Sequence, residues 1–260
     1  DLEERKNLKG LSKGRSDIFV GASQAVAKVM ETIHSPELII SDAGLRDGII
    51  LKYFGNGPDN LVHNIFENSL LNTMLNFEVN IPHAYHVYGL AEKLYQQLKP
   101  IHGIKDNVRK MAKASAMLHD VGIKIQYSNH HEHSFYLILN AGLEGLLQKE
   151  LLMSAFIALN HRTNKKIKVE EEYMTLLNND DKLLIDKLSL FLQIAEYLDR
   201  SMDGIVKDIN CKIKEKEVEM LVLTSTHSVF ADMIISECGK KFKRVFGRDL
   251  VIKNKMIIAV

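Results

Sequence analysis

The sequence predicts a mainly α-helical chain that ends in a small α+β module, and three observations carry that prediction. From about residue 60 to 204 nearly every segment repeats its apolar positions with a period near 3.6, the spacing of one helix face. After Gly204 the pattern changes, and "VKDINCKIK" and "EVEMLVLT" carry the runs of β-strands. With 260 residues, 46% hydrophobic and 26% charged, the composition is that of an ordinary globular protein with a sizeable core.

Residues 16 to 34 set Ile18, Ala22, Val26, Val29, Met30 and Ile33 at helical spacing behind Ser16, which predicts a first helix. In "PELIISDAGLRDGIILKYF" an apolar run at 38 to 40 reads as a short strand, followed by a glycine-containing turn and a second helix from Leu45. The cluster Gly55, Asn56, Gly57 and Pro58 marks the clearest boundary in the chain. Helices are then expected over 61–77, 83–98, 106–119, 134–146, 149–160 and 181–203. Beyond Gly204 come two strands, a helix over about 228–246, and short strands near 249–252 and 256–259. The expected domains are therefore 1–56, 57–204 and 205–260.

Charge and cysteine content narrow the function classes. Lys and Arg total 34 against 33 Asp and Glu, so a formal charge of +1 leaves no net field to attract nucleic acid or an anionic membrane. Any anion site must be local. The two cysteines, Cys211 and Cys238, form no CxxC motif, and no apolar leader or membrane-length run is present, so a reduced, cytoplasmic chain is expected. Asp1, in place of Met, suggests a trimmed fragment.

The segment "MLHDVGIKIQYSNHHEHSFYLI", residues 117 to 138, concentrates histidines. A single histidine there is most simply a locally satisfied core or surface group. Several candidate ligands on separate helices need a shared explanation. His86 lies one turn into the helix after Pro82 and shares its apolar face with Leu90 and Leu94. His119 and Asp120 end the helix whose inner face holds Val108, Met111, Ala112 and Ser115. Asp199, in "FLQIAEYLDRS", falls on the apolar side with Leu192 and Ala195, and adjacent Arg200 points about 100° away around the helix. A buried carboxylate without a partner costs several kcal/mol, so this set calls for a cation, and imidazole with carboxylate suits Mn, Fe, Mg or Zn.

In that order His86, the pair His119 and Asp120 in "HDVG", and Asp199 in "AEYLDRS" resemble the H…HD…D signature of the HD metal-dependent phosphohydrolases. His133 and His161 stand in the order of two further histidines used by some two-metal members, whereas His130 and His131 precede the expected helix and read as loop residues or as partners of the ligands. The ends narrow the resemblance. "LKGLSKGRSDIFVGA" and "LIISDAGLRDGII" are similar to the closing part of the actin-like lobe of the exopolyphosphatase and guanosine pentaphosphate phosphohydrolase family, and "FKRVFGRDL" fits its small α+β tail.

The resemblance covers essentially the whole chain and implies an HD-like helical domain, with a remnant of an actin-like lobe before it and a small α+β module after it. It implies a hydrolase of phosphoanhydrides or phosphoesters with one or two divalent ions held by His86, His119, Asp120, His133, His161 and Asp199, Asp120 bridging them. Water activated there would attack phosphorus while Lys124, Arg162 or Arg200 neutralises developing charge. Partners are a polyphosphate or a phosphorylated guanine nucleotide, and a homodimer is expected. Two departures stand out. The family's phosphate-cradling loops and catalytic glutamate of the actin-like lobes have no match here, and position 123, a frequent lysine in HDxxK, is Ile, with Lys124 one place later. The alternative is a non-catalytic polyphosphate-binding and dimerisation module.

Three features have plainer readings. "SDAGLRDG" is a turn with Arg46 and Asp47 capping a helix in preference to a phosphate loop, having two glycines and no Lys-Ser/Thr. "KKFKRVFGR" packs Phe242, Val245 and Phe246 and leaves a solvated basic face. His34, His63, His83, His102 and His227 have no matching partners and are expected to be structural or superficial.

Overall fold

The computed structural model describes residues 1–8, 10–40, 44–54, 64–162, 171–226 and 230–257. The chain divides into two compact units, Asp1–Leu61 and Val62–Val260. The expected boundary cluster Gly55–Pro58, together with His63 and His227, lies outside the described residues.

The first unit holds α1 (Leu2–Lys6), α2 (Phe19–Thr32) and α3 (Leu45–Phe54). Asp1 caps α1 by accepting from the Glu4 amide at 2.9 Å. Asp47 takes the Gly44 amide at 2.7 Å at the start of α3, the capping expected of this turn. The run at 38 to 40 forms no strand, and Leu38, Ile39 and Ile40 are exposed. A strand needs a partner ladder to satisfy its amides, and no strand is present among the described residues of this unit. Val26, Val29 and Ile33 on the apolar stripe of α2 are exposed as well.

The second unit is a helical bundle with a three-stranded sheet against it. Its helices are α4 (Ile65–Asn76), α5 (Ile81–Gln97), α6 (Lys99–His102), α7 (Arg109–Leu118), α8 (His130–Asn140), α9 (Gln148–Leu159), α10 (Glu171–Thr175) and α11 (Asn179–Leu198), followed by β1 (Val206–Ile213), β2 (Glu217–Thr224), α12 (Phe230–Phe246) and β3 (Asp249–Met256). Every residue of α9 from Leu151 to Leu159 is buried, as suits a helix that is apolar on all sides. α11 packs on α5, α9 and α12, and its Phe191 is 1% exposed. Truncating such a ring to Ala costs about 3–5 kcal/mol. Asn80 accepts from the His83 amide at 3.3 Å ahead of Pro82 in α5, and Asn178 pairs with Asp181 in a capping box on α11.

β1 and β2 form an antiparallel hairpin, and α12 crosses over to lay β3 parallel to β2. Val218, Met220 and Val222 bury one face of β2. β3 is one strand through Met256 where two short ones are expected. Its Lys253, Asn254 and Lys255 pair with Leu221, Val222 and Leu223, because an edge strand keeps its ladder while polar side chains face water. Phe242 and Phe246 of the basic run are buried, as expected. Among the described residues no helix is long and apolar enough to cross a membrane.

Helix ends differ from the sequence reading where glycine and histidine decide them. α8 begins at His130, not at Ser134, behind Asn129 in the left-handed region at φ 56°, and it stops before Gly142 at φ 68°. His130 and His131 are therefore buried helix residues. Their side chains turn inward, which a polar run in the sequence does not reveal.

Candidate metal centre

Five helix termini converge on one place. α5 brings His83 in its first turn and His86 one turn later; α7 ends in His119 as C-cap, followed by Asp120. α8 opens with His130, α9 runs out at His161, and the last turn of α11 carries Glu196 with Asp199 as C-cap. Gly122 makes the junction possible. A Cβ there would stand 2.1 Å from the His130 carbonyl oxygen and 2.5 Å from the Ser134 amide, so only glycine lets α8 sit on the His119–Asp120 turn. Ser134, fully buried, laces the two together: its hydroxyl donates to the His119 carbonyl at 2.6 Å and accepts from the Gly122 amide at 2.9 Å.

The imidazoles share one orientation. His119 Nδ1 lies 2.8 Å from the Ala116 carbonyl, His161 Nδ1 2.6 Å from Ala158, and His130 Nδ1 3.0 Å from Tyr127, in each case the carbonyl three residues back. With Nδ1–H donating to these oxygens, each Nε2 turns a lone pair inward. Arg162 Nη1 stands 3.0 Å from the same His130 Nδ1 and competes with that carbonyl. His83 is oriented by a carboxylate: Nδ1 lies 2.8 Å from Asp199 Oδ2, and Nε2 faces Glu196 Oε2 at 3.1 Å and Asp120 Oδ2 at 3.8 Å.

Two sets of ligand atoms result, each gathered within 4.8 Å: His83, His119, Asp120 and Glu196, and Asp120, His130 and His161. Asp120 belongs to both. Oδ2 faces His119 Nε2 at 3.6 Å, while Oδ1 faces His130 Nε2 at 3.0 Å and His161 Nε2 at 3.6 Å. His83 Nε2 and Asp120 Oδ1 are buried close to these neighbours yet aligned with none of the described residues for a hydrogen bond. Atoms that point to a common centre, and past one another, fit a shared cation.

The electrostatics follow from crowding. Burial works against the charged form of His83, but the hydrogen bond to Asp199 and the neighbouring Glu196 and Asp120 carboxylates outweigh it and hold its pKa up at about 10. His119 is raised too, its burial outweighed by Asp120 and Glu196. His161 is pushed down to about 3 by burial and by the charge of His119. Against the cost of burial, the imidazoles of His119 and His130 hold Asp120 well below the usual carboxylate range, and those of His119 and His83 do the same for Glu196. Asp199 lies at about 2, where burial is outweighed by the hydrogen bond from His83 and by the adjacent His86 imidazole.

The residues expected from sequence fall into three places. His119, Asp120 and His161 are in the converging sets. His86 and Asp199 stand just outside them: His86 Nδ1 is 2.9 Å from Asp199 Oδ1 and its Nε2 2.8 Å from the Val206 carbonyl, and Asp199 also accepts from the Gly204 amide at 3.2 Å. His133 lies outside both sets, half-buried with its Cβ beside Gly122. Lys124 is half-exposed and pairs with Glu78 at 2.5 Å. Arg162 and Arg200 stack over Tyr127 and Tyr197, with guanidinium carbons 5.1 and 5.6 Å from the ring centroids.

Sequence reasoning missed His83, His130 and Glu196. His83 and His86, like Glu196 and Asp199, are spaced i,i+3 on one helix face, so the pattern could not say which turn faces the centre. His102, by contrast, is structural as expected, stacked 4.7 Å from Tyr95.

Residues 65–236 match the family model described as Ppx/GppA phosphatase, domain III, and residues 1–56 the model described as Ppx/GppA phosphatase family. Among curated relatives, the chain is similar to the guanosine-5′-triphosphate,3′-diphosphate pyrophosphatase of Aeromonas salmonicida (strain A449), 24% identical over 65% of this chain and 34% of that protein. Proteins of the same name from Pseudoalteromonas translucida (strain TAC 125) and Pseudoalteromonas atlantica (strain T6c / ATCC BAA-1087) are 23% and 24% identical over 80% and 81% of this chain, and 41% of each relative. The chain thus spans between 34% and 41% of the length of these relatives.

Proposed function

The chain belongs to the Ppx/GppA phosphatase family, and from that premise we propose that its helical unit carries a centre for one or two divalent cations that hydrolyses a phosphate bond. The observation that supports this best is Asp120, whose two oxygens face two separate groups of imidazoles. His83, His119, Asp120 and Glu196 would hold one cation, and Asp120, His130 and His161 the other. Asp199 and His86 would orient His83 from behind. Four imidazoles and two carboxylates suit Mn, Fe or Zn better than Mg, which prefers an all-oxygen shell. A bound cation supplies a Lewis acid that acidifies water and polarises a phosphoryl oxygen. The chain's own part is to fix the ligand orientations and to set Arg162 and Arg200 where a phosphate group can meet them.

In this reading residues 57–204 form an HD-like domain, 1–56 the end of an actin-like lobe and 205–260 a small α+β module. The relatives' names support a guanosine polyphosphate as the substrate of the whole protein; this reading adds polyphosphate as a further candidate and a cytoplasmic homodimer. A second reading draws on the ion pairs themselves. His83 and His119 against Asp120 and Glu196 can neutralise one another without a cation, which suits a metal-free module that binds polyphosphate and joins subunits. Elemental analysis of the purified chain, with phosphate release from guanosine pentaphosphate and from polyphosphate, separates the two. Bound Mn, Fe or Zn with turnover supports the first, and a folded, metal-free chain with polyphosphate affinity supports the second.

A further inference from the structure

Resting on that metal-centre reading, we propose that the cavity opening onto Asp120 takes a compact phosphomonoester, an organic alcohol carrying one phosphate, in preference to a phosphoanhydride chain. The cavity measures about 250 Å³ and has Asp120, His130, His161 and Glu196 on its floor. That lies below the roughly 300–1,000 Å³ of ordinary small-molecule clefts. One phosphate and a small organic group fill such a space.

Charge points the same way. Among the described residues lining the cavity, the cationic side chains beyond the histidines are Arg162 and Arg200, one for each charge of a phosphate dianion. Every further anhydride phosphate adds negative charge, and among the described residues no additional lysine or arginine lines the cavity to meet it. Glu237, brought to the same wall by α12, adds a carboxylate that a polyanion would have to pass. The rest of the wall suits an organic group: the rings of Tyr127 and Tyr197 and the thioether of Met202 offer apolar surface. Each arginine already lies over a tyrosine ring, so the phosphate contacts are pre-ordered at little entropic cost. The reaction needs only water: its oxygen bonds to phosphorus, the bond from phosphorus to the alcohol oxygen breaks, and a proton from water passes to that oxygen, giving alcohol and inorganic phosphate.

The test compares p-nitrophenyl phosphate with tripolyphosphate as substrates for the purified chain, with Mn in excess over total phosphate and metal content measured on the same sample. The expected result is a kcat/KM for the monoester at least roughly tenfold above that for tripolyphosphate. Inorganic phosphate should compete, and Arg162→Ala and Arg200→Ala should each raise KM about tenfold with metal content unchanged. A metal-loaded chain that cleaves tripolyphosphate as well as the monoester, or binds inorganic phosphate no more weakly after both arginines are replaced, overturns the substrate class and leaves the metal centre standing. A chain that binds no metal and cleaves neither compound overturns both. Circular dichroism of each variant separates loss of the pocket from loss of the fold.

Discussion

Asp120 turns Oδ2 towards His119, 3.6 Å from Nε2, and Oδ1 towards His130, 3.0 Å from Nε2. One carboxylate thus joins imidazoles from the end of α7 and the start of α8, and behind them those from α5 and α9. Such crowding of buried donors and acceptors, several out of line for mutual hydrogen bonds, is what a cation would resolve.

The two sets predict separable losses. His130→Ala should remove one cation and keep the one held by His83, His119, Asp120 and Glu196, whereas His133→Ala should keep both. Metal equivalents measured after dialysis decide it, and a His133 variant that loses a cation while the His130 variant keeps two would reverse the assignment.

Asp199 acts through His83. Asp199→Asn keeps the shape but weakens the hydrogen bond that fixes the His83 ring, so metal affinity should fall about 10–100-fold while stoichiometry at saturating metal stays the same. His86→Ala should fall in the same direction by less, since it touches Asp199 and not the centre. Isothermal titration reads both numbers. Loss of a whole equivalent in Asp199→Asn would make Asp199 a direct ligand.

The pH dependence has a definite sign. In the metal-free chain the His83 pKa is raised from 6.5 to about 10, so its contribution to stability is complete below pH 6.5 and is lost as pH rises towards 10. Asp199, lowered from 3.8 to about 2, contributes above pH 3.8 and loses that contribution as pH falls towards 2. A cation needs His83 neutral and must displace its proton, so apparent metal affinity should climb between pH 6.5 and 10 with proton release. Titrations in buffers of different ionisation enthalpy count those protons. Affinity that stays flat across that window would take His83 out of the ligand set.

Gly122→Ala tests the junction. The new methyl meets the His130 carbonyl at 2.1 Å, and backbone on both sides leaves nothing flexible to yield. A destabilisation of about 2–3 kcal/mol or more is expected, with weaker binding of the cation that His130 shares. Thermal melts with and without metal measure it, and an unchanged melting temperature would mean that α8 and the His119–Asp120 turn are not packed as described.

Much of this was legible in the sequence, for reasons that can be named. The period of 3.6 from residue 60 onward exposed the bundle because α9 and α11 bury long apolar faces, and β1 and β2 showed themselves as apolar runs after Gly204. The family resemblance carried by the ends of the chain is the family that the comparisons show. His119 and Asp120 stood out because the adjacent pair in "HDVG" resembles the HD signature. His83 and Glu196 did not, because each has a neighbour three residues on that satisfies the same helical pattern. His130 was hidden by its company: "NHHEH" reads as a polar loop until Asn129 takes a left-handed turn and starts a helix there. The run at 38 to 40 looked like a strand because an apolar tripeptide carries no information about a partner ladder.

The most direct test of the account is the metal content of the purified chain beside that of Asp120→Ala, measured by elemental analysis after equilibration with Mn or Zn and removal of excess. Up to two equivalents are expected in the parent, with loss of tight binding in the variant and a melting temperature that rises with metal only in the parent. A variant that binds as much metal, as tightly, as the parent would contradict it.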